Sequence, residues 1–97
     1  MLDVAKASKE LAEKSMIEIE RATALTWGGR AAASYTRCVE AGDNALGLQR
    51  FWEGETYRGE ALEHAAMVEE DALVSELRRE IETYRSKAKK TLTSQGR

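Results

Sequence analysis

The chain has 97 residues, of which 42% are apolar and 33% charged, with no Pro, one Cys and a net charge of −2. This length predicts one domain, and the composition is that of a folded, soluble protein. A single Cys excludes an internal disulfide, and the short apolar runs exclude a membrane span or a signal-peptide core. We therefore expect a cytoplasmic protein with no membrane partner. The slightly negative net charge argues against a nucleic-acid partner, which would need a concentrated positive surface.

The sequence predicts an all-α fold. It is rich in Ala, Glu, Leu, Lys and Arg, and no stretch alternates apolar and polar residues as a strand would. The strongest turn signal is a short segment in which Gly42 can end one helix and Asp43 or Asn44 can begin the next. We therefore predict a long antiparallel helical hairpin that forms a single domain over 1–97. Its parts are a helix at about 3–41, a turn at 42–44, a helix at about 45–92 and a frayed basic tail at 93–97.

The predicted first helix has a stripe of mostly small, uncharged residues at helical spacing. These residues are Val4, Ser8, Leu11, Ser15, Ile19, Ala22, Thr26, Gly29, Ala33, Thr36 and Val39. Gly28 and Gly29 would each cost about 0.8–1 kcal/mol relative to Ala inside a helix. The helix therefore either continues through them with a close-contact notch or breaks there into two. No Pro, Asn or Asp flanks the pair to shape a turn, which favours the continuous helix.

The predicted second helix has a clearer apolar stripe, from Leu48 to Leu92, that identifies an amphipathic helix. Two carboxylates, Glu55 and Glu69, interrupt the stripe. Each is expected to reach water at the edge of the stripe or, if buried, to pair with Arg21 or Arg30.

Folding the hairpin at the turn sets three aromatic residues opposite small ones. Trp27 faces Gly59, Tyr57 faces Gly29, and Trp52 faces Ser34. Such volume complementarity is what close packing requires. The predicted central packing therefore consists of Trp27, Gly29, Trp52, Tyr57, Gly59 and Leu62.

Two helices side by side leave their flanks in water, and several large side chains fall outside the predicted seam. They are Met16, Ile17, Leu25, Tyr35, Leu46 and Phe51. An exposed cluster of this kind marks an association surface, so we predict a homodimer that forms a four-helix bundle. Helices from a different protein would satisfy the same requirement.

Charge is unevenly distributed along the second helix. Residues 53–82 carry a net charge of −7, and residues 85–97 carry +5. One interpretation is a solvated helix face followed by cations that complement the helix dipole. The other is an acidic band, represented by Glu60, Glu63, Glu70 and Asp71, that binds a basic protein partner.

A second hypothesis concerns metal binding. Glu60 and His64 lie one helical turn apart, so a carboxylate and an imidazole could share a metal ion. Di-iron bundles use Glu-x-x-His, whereas the residue three positions before His64 is Ala61. We therefore predict no cofactor. We also expect Cys38 to be a packing residue rather than a nucleophile.

These observations predict a small non-enzymatic protein-interaction module of the adaptor, chaperone-like or inhibitory kind. It would act through a helical-bundle surface and the acidic band. The alternative function is a metal- or small-ligand-binding bundle that uses Glu60 and His64.

Overall fold

The computed structural model describes the backbone of residues 2–93 and the side chains of residues 8–93. It consists of three helices, α1 (Leu2–Ala41), α2 (Ala45–Met67) and α3 (Asp71–Thr93), with no strand in this part of the chain. The molecule is elongated, with a longest dimension of 70 Å. The all-α prediction is confirmed. Within the predicted tail, Thr93 still belongs to α3, and residues 94–97 lie outside the described residues.

Helix α1 continues through Gly28 and Gly29 without a break, as the lack of turn-forming neighbours indicated. Gly28 is buried, and a Cβ added to it would lie 2.8 Å from Cδ1 of Leu77 in α3. Gly29 has nothing within 4 Å of such a Cβ. The close-contact notch is therefore Gly28, and it receives a side chain of α3.

The predicted turn joins α1 to α2. Gly42 has a φ of +87°, the left-handed conformation in which glycine avoids a steric penalty. The Asn44 side chain accepts a hydrogen bond of 2.9 Å from the Gly47 backbone N–H and so caps the first turn of α2.

The predicted continuous helix over 45–92 is wrong, because α2 ends at Met67 and α3 runs back along the other two helices. Glu69 takes a φ of +61° and reverses the chain without the Gly, Pro or Asn that usually marks such a turn. In one continuous helix, Glu69, Glu70 and Asp71 would lie in the helix interior, where the helix dipole does not stabilise an acid. After the reversal, Asp71 instead lies in the first turn of α3, where the helix dipole favours an acid.

Burial of apolar side chains of α3 outweighs the strain at the reversal. A left-handed conformation costs a non-glycine residue roughly 1–2 kcal/mol. Leu77 and Ile81 become 4% and 1% exposed against the other helices. Burying each contributes about 1.5–3 kcal/mol. The folded-back arrangement is therefore favoured.

The face of α1 that packs inward is not the predicted stripe. The inward face consists of Ala24, Gly28, Ala31, Ser34, Tyr35 and Cys38, all buried. Each member of the predicted stripe from Ser8 to Val39 is exposed. Most of the inward side chains are small, so residue size gave little indication of which face would be covered.

The predicted register of α1 against α2 is close to the observed one, but the faces are rotated. Tyr35 packs against Phe51, with ring centroids 5.6 Å apart, and these two are the chain neighbours of the predicted Ser34–Trp52 pair. Trp27 packs against Tyr57 at 5.6 Å rather than against Gly59.

The predicted central packing is accordingly corrected at several positions. Trp27, Tyr57 and Leu62 are partly buried, whereas Gly29, Gly59 and the 60% exposed Trp52 lie on the outside. A Cβ at Gly59 would meet nothing within 4 Å. The buried residues of α2 are instead Gly47, Phe51, Gly54, Ala61 and Ala65.

The fold also changes the basis of the predicted dimer. Tyr35 and Phe51 were expected on the surface of a two-helix hairpin, but both are buried within one chain. Met16, Ile17, Leu25 and Leu46 remain exposed. Because Tyr35 and Phe51 are already buried within one chain, a four-helix bundle of two chains is not needed to cover these two side chains.

Candidate functional site

The first half of α1 extends beyond the other two helices. At 1.5 Å per residue, the 40 residues of α1 span about 60 Å, whereas the 23 residues of α2 span about 35 Å. Every residue from Ser8 to Ile19 is exposed, and the side-chain hydrogen bonds that tie α1 to the other helices begin at Glu20 and Arg21. We call residues 8–19 the arm, and the three-helix remainder the body.

One side of the arm carries no charge. At helical spacing, Leu11, Ser15 and Ile19 follow one another along this side, with Ala12 and Met16 next to them. Leu11 is 66% exposed, Met16 64% and Ile19 62%. We call this side the outer face of the arm. Such a concentration of exposed large apolar residues is typical of an interaction surface.

Charged residues border the outer face on both flanks. Lys14 and Glu18 lie on one flank, four residues apart, and Lys9 and Glu13 lie on the other with the same spacing. The spacing of Lys14 and Glu18, and of Glu10 and Lys14, allows ion pairs that stabilise an exposed helix. The arm therefore has helix-stabilising features of its own besides its continuity with the body.

A histidine held by a carboxylate fixes α1 to α2 where the arm leaves the body. His64 Nδ1 lies 2.6 Å from Glu20 Oε2, and His64 Nε2 lies 3.8 Å from Glu60 Oε2. The hydrogen bond to Glu20, with the negative charges of Glu60 and Glu63, raises the pKa of His64, although burial opposes the shift. The His64 ring thus links the two helices.

The predicted Glu60–His64 pair is present, but the stronger partner of His64 is Glu20, which sequence reasoning missed. The register that pairs Tyr35 with Phe51 places Glu20 within one turn of His64, so the signal was available. In the part of the chain that the structure describes, no group of three or more His, Cys, Asp and Glu residues is arranged to hold a metal ion.

The predicted acidic band lies at the same end of the body. Glu63 and Asp71 are exposed, and Glu60 lies beside His64. Glu70 pairs with Arg21 of α1. Two members of the band therefore have cationic or ionisable partners within the chain.

A second polar cluster joins all three helices inside the body. Tyr35 Oη of α1 donates to Glu55 Oε1 of α2 at 2.6 Å, and Arg85 Nε of α3 donates to the same oxygen at 2.6 Å. Burial by itself raises the pKa of Glu55, but the hydrogen bonds from Arg85 and Tyr35 outweigh it and hold the pKa below its usual value.

This cluster corrects the expectation that Arg21 or Arg30 would pair with a buried Glu55. The partner is Arg85, which only the return of α3 brings close. Burial, with the hydrogen bond to Glu55, raises the pKa of Tyr35, so the hydroxyl stays neutral. The expected interruption at Glu69 is instead the exposed turn residue.

Cys38 is fully buried, and burial raises the pKa of its thiol. Its Sγ lies 3.9 Å from the Ala88 carbonyl oxygen of α3. A buried thiol with a raised pKa is poorly nucleophilic. These features fit a packing role.

The comparisons with known proteins give no match to a family model, to a curated protein or to a solved structure. Within the described residues, no helix contains a stretch that is both long enough and apolar enough to cross a membrane. The arm, with its exposed apolar outer face, is accordingly the feature on which a functional interpretation depends.

Proposed function

We propose that this chain is a non-enzymatic protein-interaction module in which the body supports the arm and the outer face of the arm binds another protein. The observation that carries the proposal is the exposure of Leu11, Met16 and Ile19 on an uncharged side of a projecting helix. Presenting the apolar side of a helix to a partner is a recurrent mode of protein recognition.

The arm is better suited to binding than a disordered segment of the same composition. It continues a helix that the body holds through the Glu20–His64 and Arg21–Glu70 pairs. A partner therefore meets a surface that is already ordered, and less conformational entropy is lost on association.

The acidic band is a secondary contact in this proposal. Its exposed members Glu63 and Asp71 lie at the base of the arm, where they would attract a basic segment of the bound protein. The alternative of a metal or small ligand at Glu60 and His64 has less support, because Glu20 already occupies one ring nitrogen of His64.

Site-specific photocrosslinking in cells that produce the protein tests this proposal. A photoreactive amino acid would replace Ser15 on the outer face or, as the matched control, Thr56 on the exposed side of α2. We expect crosslinked protein at Ser15, its loss when Leu11→Glu is added, and none at Thr56. Equal crosslinking at both positions would contradict the proposal.

A further inference from the structure

We propose that a cavity on the open side of the α1–α3 seam binds a small organic cation, namely a primary amine attached to an aromatic or aliphatic group. The site combines an apolar cavity with the carboxylate of Glu80 and the ring of Tyr84 at its edge. It lies on the body and includes no residue of the arm, so it goes beyond the proposed function and does not depend on it.

The cavity forms where two adjacent glycines of α1 lie against α3. Gly28 lets the side chain of Leu77 approach the backbone of α1, whereas a Cβ at Gly29 would meet nothing within 4 Å. The space beside Gly29 therefore stays open, and the resulting cavity has a volume of about 240 Å³. Its remaining apolar walls come from both helices and consist of Leu25, Ala32 and Ile81 with part of Tyr84.

The size of the cavity restricts the ligand to a small molecule. Sites for drug-sized ligands have volumes of about 300–1,000 Å³, so this smaller cavity is suited to a single ring or a short aliphatic chain. Buried Leu77 and Ile81 close its inner side, and Leu25, which is 53% exposed, borders its mouth. A bound apolar group would therefore cover exposed apolar surface, which favours binding.

The charge at the cavity selects a cation. Among the described residues that line the cavity, Glu80 alone carries a charge. Its carboxylate is exposed and has no hydrogen bond or ion pair with another residue that the structure describes. Glu76 adds a second exposed negative charge one turn before it on α3. Lys87 lies about 10 Å further along α3, and Arg30 of α1 stacks on Trp27 instead.

Tyr84 gives a second reason to expect an ammonium group. It lies one turn after Glu80, lines the same cavity and is 37% exposed. An ammonium group is attracted by the face of an aromatic ring as well as by a carboxylate. An anion would be repelled by Glu80, and a neutral molecule would gain the apolar contacts alone. An apolar group with one positive end therefore matches the whole site.

Titration of isotope-labelled protein with phenethylamine, followed by two-dimensional NMR, tests the site. We expect saturable shifts centred on the amides of Gly28, Gly29 and Tyr84. The dissociation constant should be in the millimolar range, because so small a ligand makes few contacts. Phenethyl alcohol, which has the same shape and no charge, should bind roughly two- to fivefold more weakly, as expected for an exposed ion pair. The absence of saturable shifts at these amides overturns the proposal.

Gly29→Leu tests whether the ligand occupies the cavity. The added side chain should fill the space and abolish binding of phenethylamine. Gly59→Leu is the matched control, because a Cβ at Gly59 also meets nothing within 4 Å but lies on α2. It should bind the amine as the unaltered protein does. Both variants should remain helical by circular dichroism, since Leu favours a helix over Gly. Unchanged binding by Gly29→Leu overturns the proposal.

Glu80→Gln tests the selection of a cation without filling the cavity. It should remove the preference for phenethylamine over phenethyl alcohol and leave the affinity for the alcohol unchanged. Glu40→Gln is the matched control, because Glu40 is exposed on α1 about 16 Å along the helix from Gly29. It should keep the preference. If Glu80→Gln retains the full preference for the amine, the carboxylate does not select the ligand and the proposal is overturned.

Discussion

Substitution of Gly54 by Ala gives the sharpest test of how α1 and α2 pack. A Cβ at this position would lie 2.6 and 2.7 Å from two ring carbons of Tyr35, well inside the 3.5–4.0 Å of a normal carbon contact. The ring cannot move easily, because Tyr35 is fully buried and hydrogen-bonded to Glu55. Overpacking of this kind costs about 1–3 kcal/mol, and disturbing a hydrogen bond to a charged group costs a further 1.5–3 kcal/mol or so.

Replacing Gly by Ala also stabilises a helix by about 0.8–1 kcal/mol, so the net loss for Gly54→Ala is roughly 1.5–5 kcal/mol. Gly59→Ala is the matched control, since Gly59 lies in the same helix with nothing within 4 Å of an added Cβ. It should raise the free energy of unfolding by about 1 kcal/mol and Tm by roughly 4–8 °C. Urea and thermal unfolding followed by circular dichroism measure both. Equal stability of the two variants would refute the packing described here.

Three further predictions concern the two turns and the two polar clusters. Glu69→Gly should stabilise the protein by about 1 kcal/mol, because glycine adopts the left-handed conformation without strain. Gly42→Ala should destabilise it by a similar amount for the same reason. Thermal unfolding measures both changes, and effects of opposite sign would contradict the geometry of the two turns. Because the pKa of His64 is raised in the folded state, its stabilising effect should be complete below its unfolded pKa of about 6.5 and be lost as pH rises through the folded value. The difference in unfolding free energy between wild type and His64→Gln should therefore shrink from pH 6 toward alkaline pH, and a constant difference would argue against the Glu20 contact. Glu55→Gln should destabilise the protein by about 2–3 kcal/mol at neutral pH, because it removes the carboxylate that accepts from both Tyr35 and Arg85 and leaves Arg85 only its 3.6 Å contact with Glu82. Because the pKa of Glu55 is lowered in the folded state, its stabilising effect is present above its unfolded pKa and lost as pH falls through the folded value. The difference in unfolding free energy between wild type and Glu55→Gln should therefore narrow below about pH 4.5.

The parts of the fold that depend on local chemistry could be predicted from the sequence. The absence of Pro gave the helical class, and Gly42 with Asn44 gave the first turn. The register of α1 on α2 followed from the hairpin itself, within a residue or two of the observed pairs. The continuity of α1 through Gly28 could be predicted, although the residue that fills its notch could not.

The parts that depend on tertiary contacts could not be predicted in the same way. Residues 66–71 include no Gly, Pro or Asn that would predict a turn. Glu69 adopts a strained conformation because the reversal lets Leu77 and Ile81 become buried. That reversal determines which side of α1 is covered, so the stripe of α1 that the sequence predicts to pack inward faces outward instead. Arg85 as the partner of Glu55 is a consequence of the same reversal.

The return of α3 also relocates the surface that a partner must cover. In a two-helix hairpin the whole length would need a partner, whereas α3 buries Tyr35 and Phe51 within one chain and leaves the arm as the longest fully exposed stretch of α1 among the described side chains. Burying the exposed parts of Leu11, Met16 and Ile19, with an equal apolar area of the partner, contributes roughly 1–2 kcal/mol for each side chain, or about 6–12 kcal/mol in all. Association costs about 4–15 kcal/mol in lost translational and rotational freedom. Since the two sums are similar, burial of these three side chains alone would leave a free energy of association near zero, so a stable complex of the arm requires further contacts from the partner.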